Sequence, residues 1–201
     1  MKGLKIIRKC IKLLVVCSLM VMLGGFIGHV KQLPLVESEV RAAIGTPYSQ
    51  QYIELSKKRP GRKRTIKYIV IHNTANSTST AQNEVDYLSN PNNTSSTSFH
   101  LAVDEHEIIE AIPVTEVAYH AGDRVGNQYG IGIEICESGD FQQTKAHAAK
   151  LVAYLMKCYD IPLSNVKAHK DFSGKDCPRL MLDNWDAFLE QIQEAYQNLP
   201  K

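Results

Sequence analysis

Three side chains of this sequence, His72, His169 and Cys177, are of types that could converge on one metal ion. His72 closes the apolar run Tyr68-Ile69-Val70-Ile71, which reads as a buried strand delivering a side chain to the rim of a sheet. His169 and Cys177 stand eight positions apart in Ala168-His169-Lys170-Asp171-Phe172-Ser173-Gly174-Lys175-Asp176-Cys177-Pro178. Two imidazoles and one thiolate suit Zn²⁺, and a tetrahedral zinc with three protein ligands keeps its fourth position for water, which is the pattern of a catalytic site. Each residue alone has a simpler reading. A histidine at a strand end is more often a hydrogen-bonded rim residue, and the His–Cys spacing is looser than that of a zinc finger.

The elements that must position these groups alternate from Lys67 onward. Lys67 to His72 reads as a strand and Ala81 to Leu88 as a short helix. Phe99 to Asp104 and Glu107 to Ile112 read as a hairpin turning at Asp104-Glu105-His106, and Gly130 to Cys136 as a further strand. Thr144 to Cys158 carries Ala148, Leu151, Val152, Leu155 and Met156 at helical spacing. Asn184 to Leu199 does the same with Trp185, Phe188, Leu189, Ile192 and Tyr196. Asn90 through Thr97 is polar and holds a proline, hence a surface loop. The pattern gives an α/β or α+β domain, with helices covering a mixed sheet.

Within Gly130-Ile131-Gly132-Ile133-Glu134-Ile135, alternation places Gly132 and Glu134 on the face opposite the isoleucines. A carboxylate on a buried strand is costly unless solvated or paired, so Glu134 is expected to face a groove. It is the candidate for proton transfer beside the metal.

Five segments carry a resemblance. Ile69-Val70-Ile71-His72-Asn73-Thr74-Ala75, Ser98-Phe99-His100-Leu101-Ala102-Val103-Asp104, Ala118-Tyr119-His120-Ala121-Gly122, Ile131 to Cys136 and His169 to Pro178 resemble, in that order, the blocks of the zinc-dependent N-acetylmuramoyl-L-alanine amidases. That family includes phage lysozyme-type amidases and looks related to the peptidoglycan recognition proteins. The resemblance spans roughly Lys67 to Tyr196. It implies an α/β fold with a central mixed sheet flanked by helices, zinc on His72, His169 and Cys177, and peptidoglycan as substrate. It further implies Glu134 as the catalytic carboxylate, Lys175 aimed at the reacting carbonyl, and His120 lining the substrate groove. Some relatives carry a catalytic tyrosine immediately before the histidine of the second block. Here that residue is Phe99, which cannot donate a hydrogen bond. The alternatives are a peptidoglycan-binding module of the same fold without catalysis, and a peptidase cutting within the stem peptide.

With 201 residues, 44 % of them hydrophobic and 22 % charged, the chain is expected to hold one globular core with an N-terminal extension. The net charge of +2 gives no electrostatic case for nucleic acid, and a monomer is expected. Lys2, Lys5, Arg8, Lys9 and Lys12 precede an uncharged stretch from Leu13 to Val30. At ~1.5 Å per helical residue that stretch just covers a bilayer core of ~30 Å. The basic flank keeps the first residues in the cytoplasm and places the chain beyond Val30 outside. No small-residue cleavage exit is evident, so residues 1–30 are expected as an uncleaved anchor, with a cleaved signal peptide and a secreted enzyme as the alternative. Residues 31–64, ending in the basic run Lys57 to Arg64, are expected as a solvated basic linker, with contact to anionic lipid or wall polymer as the alternative, and residues 65–201 as the catalytic domain. Cys136 and Cys158 are expected as free thiols.

Overall fold

A six-stranded sheet in the order β1-β4-β3-β5-β2-β6 forms the centre of the computed structural model, which describes residues 32–200. Its strands are β1 (Tyr48–Gln50), β2 (Tyr68–Asn73), β3 (Leu101–Val103), β4 (Ile108–Glu110), β5 (Gly130–Ile135) and β6 (Val166–Ala168). β3, β5, β2 and β6 run parallel to one another, and only the β3–β4 hairpin is antiparallel. The sheet is therefore mixed, flanked on both faces by helices. Ile69, Ile71, Ile131, Ile133 and Ile135 pack on one face under α1 (Glu37–Ile44), α4 (Phe141–Tyr159) and α6 (Trp185–Gln197). The other face carries Ala102, Ile109 and Cys136 against α2 (Ala81–Ser89). Burying each isoleucine is worth roughly 1.5–3 kcal/mol, so the doubly covered strands β2 and β5 dominate the core.

Local chemistry fixes the helix ends. Thr80 caps α2 by accepting from Asn83 N, while the Asn83 side chain accepts from Thr80 N, a reciprocal capping box. Asp140 caps α4 by accepting from Gln142 N and Gln143 N. Asp123 does the same for α3 (Arg124–Tyr129), accepting from Val125 N and Gly126 N.

Part of the stretch expected as a linker is folded into this unit. α1 buries Val40 and Ile44, and β1 pairs in parallel with β4. Tyr48, 1 % exposed, donates its hydroxyl to the buried carboxylate of Glu110, which also accepts from Gln50 Nε2, Tyr52 OH and Val114 N. A three-residue strand with a single apolar anchor is too short to show a period of two, which hid β1 in the sequence.

Half of the cations of the basic run are likewise taken up by the fold. Lys58 is buried and donates to the Leu88 carbonyl at the end of α2. Arg59 pairs with Glu116, and Arg64 donates to the carbonyls of Val114 and Gly130. This corrects the expectation of a solvated linker at Lys58, Arg59 and Arg64, which satisfy backbone acceptors and a carboxylate within the chain, while Lys57, Arg62 and Lys63 stay exposed. Cys136 and Cys158 are free thiols. The segment Leu13 to Val30, expected as an anchor or signal, lies outside the described residues; among the described residues no helix is long and apolar enough to cross a membrane.

Candidate metal centre

The site forms at the carboxyl ends of β6, β2 and β5, where parallel sheets present ligands to a crevice. β2 and β5 pair His72 directly with Glu134. Their side chains therefore leave the same face of neighbouring strands, opposite the isoleucine layer. His169 follows β6 immediately, and its backbone N donates to Ile71 O, which places it beside His72. The ring centroids of the two histidines lie 4.4 Å apart. Cys177 returns to the same point through the loop after α5 (Lys170–Ser173), with Lys170 N donating to Cys177 O. Asn73 secures that loop by accepting from Leu180 N while donating to Ile135 O.

His72, His169 and Cys177 are all buried, and one ligand atom from each lies within 4.8 Å of the others. Cys177 Sγ is 4.0 Å from His72 Nδ1. A tetrahedral zinc with bonds of ~2.0 Å to nitrogen and ~2.3 Å to sulfur separates such donors by about 3.5 Å. His169 Nδ1 is buried with no hydrogen-bond partner among the described residues, a costly state that a cation relieves. Burial, with the neighbouring histidines and Lys175 adding, holds the imidazole of His72 well below its usual pKa. Burial and Lys175 lower that of His169 too. Neutral imidazoles are the form that binds a metal. Burial pushes the Cys177 thiol up to about 11 when no cation is present to favour the thiolate. Two neutral imidazoles and a sulfur suit a borderline-soft divalent ion such as zinc, so the residues fit that group.

Glu134, Lys175, Phe99 and Glu84 border the same cavity of about 210 Å³ as the three donors. Burial raises the Glu134 carboxyl to about 8, Glu84 adds to the rise, and Lys175 opposes it. Glu84 carries no signal in the sequence; in the structure it is half-buried on α2. Phe99 contributes an apolar wall and no donor. Lys175 is exposed and also borders a second, open cavity of about 720 Å³ with Lys57, Tyr119, His120 and Asn127. The two cavities share Thr97, His120, His169 and Lys175, so they form one groove past the metal site.

His120 sits behind His72 as well as beside the groove. Its Nδ1 lies 3.1 Å from His72 Nε2 and its Nε2 lies 3.0 Å from Gly130 O. Both ring nitrogens are thus engaged by protein atoms. His100 is satisfied in the same manner, accepting from Gly132 N and donating to Glu116 O. Asp171 accepts from Ala168 N and holds the turn into α5. Asp176 is exposed and pairs with Lys170 at 3.4 Å.

Residues 62–180 match the model of a family described as N-acetylmuramoyl-L-alanine amidase. The chain is 42 % identical over 144 residues to the N-acetylmuramoyl-L-alanine amidase CwlH of Bacillus subtilis, a match covering 68 % of this chain and 57 % of that protein. It is 46 % identical over 140 residues to XlyA of the same organism, covering 67 % of this chain and 46 % of XlyA. The chain thus spans about half the length of the curated relatives it matches. The solved catalytic domain of XlyA superimposes with a TM-score of 0.71 at 43 % identity, covering 73 % of this chain and 99 % of that domain. The structure of PlyL gives 0.67 at 37 % identity, covering 73 % and 97 %.

Proposed function

The chain belongs to the N-acetylmuramoyl-L-alanine amidase family, and on that premise we propose that it hydrolyses the amide between N-acetylmuramic acid and L-alanine in peptidoglycan, using zinc held by His72, His169 and Cys177. The observation that carries this reading is the convergence of three buried donors on one point, one of them an orphaned imidazole nitrogen, beside a carboxyl with raised proton affinity. Zinc bound there supplies Lewis acidity toward a carbonyl and lowers the pKa of water to ~7.

The remaining work falls to the chain's own groups. Glu134 takes a proton from the attacking water as the oxygen–carbon bond forms, and returns it to the amide nitrogen as the carbon–nitrogen bond breaks. A carboxyl whose pKa lies near neutrality suits both halves of that transfer. The Lys175 ammonium offsets negative charge on the tetrahedral oxyanion, an effect worth ~3 kcal/mol for one well-placed donor. Phe99, in the segment leading into β3, lines the cavity with a ring and supplies no hydroxyl donor there. The groove shared by the two cavities gives room for glycan and stem peptide on either side of the scissile bond.

For the N-terminal segment we propose export, with Leu13 to Val30 serving as membrane anchor or signal, on the strength of the basic flank and the uncharged run. The decisive experiment digests purified sacculi with the full-length protein, with and without a chelator, and weighs the products. Release of stem peptides with a free L-alanine amino terminus, lost on chelation and restored by zinc, is expected. Intact sacculi, or cuts within the peptide, would refute the assignment.

A further inference from the structure

Gly130 O is an acceptor only, and that single fact orders the protons along a buried line of three groups. His120 Nε2 lies 3.0 Å from this carbonyl, so Nε2 carries the proton and donates it. In a neutral imidazole the other nitrogen is then a bare acceptor. His120 Nδ1 accordingly accepts across the 3.1 Å contact, and His72 Nε2 is the donor. Once His72 holds its proton on Nε2, its Nδ1 is left as a lone pair, the atom facing Cys177 Sγ at 4.0 Å. The opposite tautomer of His120 would set a lone pair against the Gly130 carbonyl, and the opposite tautomer of His72 would set two lone pairs against each other.

We propose that His120 is a positioning residue for the metal centre: through the line Gly130 O, His120, His72 it fixes both the tautomer and the ring orientation that present His72 Nδ1 to the cation. Its consequence for metal binding rests on the zinc reading, although the proton order itself stands without it.

The surrounding structure holds His120 rigidly in that role. Asn127 Oδ1 accepts from the backbone N of both His120 and Ala121 at 2.8 Å, fixing the segment that carries the ring. The ring lies against β5 at Gly132, where a Cβ would stand 2.5 Å from His120 Cγ. A glycine there is required by close approach and not by backbone torsion. The planes of the His72 and His120 rings are nearly perpendicular, at 87°, and their centroids lie 5.2 Å apart, a separation compatible with the 3.1 Å contact between one ring nitrogen of each. Groups that orient a metal-binding histidine typically change metal affinity 10- to 100-fold when removed.

Nitrogen-15 NMR of the metal-free full-length protein tests the proton order directly. Nε2–H signals slow to exchange with water, and unprotonated Nδ1 on both His72 and His120, are expected. In His120→Ala the His72 ring proton should exchange rapidly, and the zinc dissociation constant from chelator competition should rise 10- to 100-fold. His120→Asn sets an amide oxygen near the former Nδ1, and should restore protection and bring affinity back to within a few-fold. A His72 proton found on Nδ1 would overturn the proposal. So would unchanged zinc affinity in a folded His120→Ala protein, or an Asn variant no better than Ala. Peptidoglycan cleavage enters none of these readouts, so a failure of the amidase reading and a failure of this one are separate results.

Discussion

Replacing Glu134 with glutamine should make the metal-free protein more stable at alkaline pH, and the size of the effect follows from where the side chain sits. Burial raises the Glu134 carboxyl from its usual 4.5 to about 8. In the unfolded chain it ionises near 4.5, so between pH 4.5 and 8 the unfolded state binds fewer protons than the folded one. Stability therefore falls as pH rises through that window and levels off above it. A tenfold change in proton affinity is worth about 1.4 kcal/mol, which sets an upper figure of about 5 kcal/mol. The residue is only partly buried in the groove wall, and solvent reduces that to roughly 2–4 kcal/mol. Glutamine keeps the shape and cannot ionise. The histidines of the site titrate in both proteins and cancel in the difference. Urea denaturation of chelated wild type and Glu134→Gln at about pH 5, 7 and 9 should give near-equal stabilities at the acid end and a growing advantage for the variant toward the alkaline end. Parallel profiles across the range would mean that Glu134 ionises as an ordinary solvated carboxylate, with no raised proton affinity to serve catalysis.

Three further outcomes are expected. Cys177→Ser should lose zinc on dialysis, since a hydroxyl is a far poorer ligand than a thiolate and only two imidazoles remain; metal analysis of the purified variant decides it. In the zinc-loaded protein Glu134→Gln should retain the metal yet lower kcat by on the order of 10² or more, measured on muropeptides. Tyr48→Phe removes a donor to the buried Glu110 carboxylate and should cost about 1.5–3 kcal/mol by denaturant titration, with kcat unchanged because β1 lies at the far edge of the sheet from the metal centre.

How much of this was legible in the sequence depended on whether a signal was periodic. β2, β5, α2 and α4 are long enough for apolar spacing to declare them, and they appear within a few residues of the expected bounds. β6 and α5, which deliver His169, are three and four residues long and carry no period, so residue type and the resemblance pointed to that histidine while no predicted element placed it. The donor trio was visible as residue types. Its convergence was not, because it depends on β6, β2 and β5 being neighbours in the sheet although other strands and helices intervene between them along the chain. The destination of the basic run was also hidden. Whether Lys58 meets water or the Leu88 carbonyl is a question of tertiary contact that composition does not address.

Gly132 shows the same limit at a single residue. In the sequence it is one of two glycines in an alternating strand, a position where glycine is weakly unfavourable and unexplained. In the fold, a methyl group there would stand 2.5, 2.7 and 2.8 Å from His120 Cγ, Cδ2 and Nδ1. Ordinary carbon contacts lie near 3.5–4.0 Å, so Gly132→Ala must push the ring away by about 1 Å. The His72–His120 contact is already 3.1 Å, and a shift of that size takes it beyond hydrogen-bond length. Overpacking alone costs typically about 1–3 kcal/mol of stability. The additional consequence is specific: zinc affinity should fall roughly 10- to 100-fold although no ligand has been touched. Chelator competition on the variant, kept well below its unfolding temperature, separates the two effects. A destabilised Gly132→Ala protein that binds zinc as tightly as wild type would show that the glycine serves packing alone.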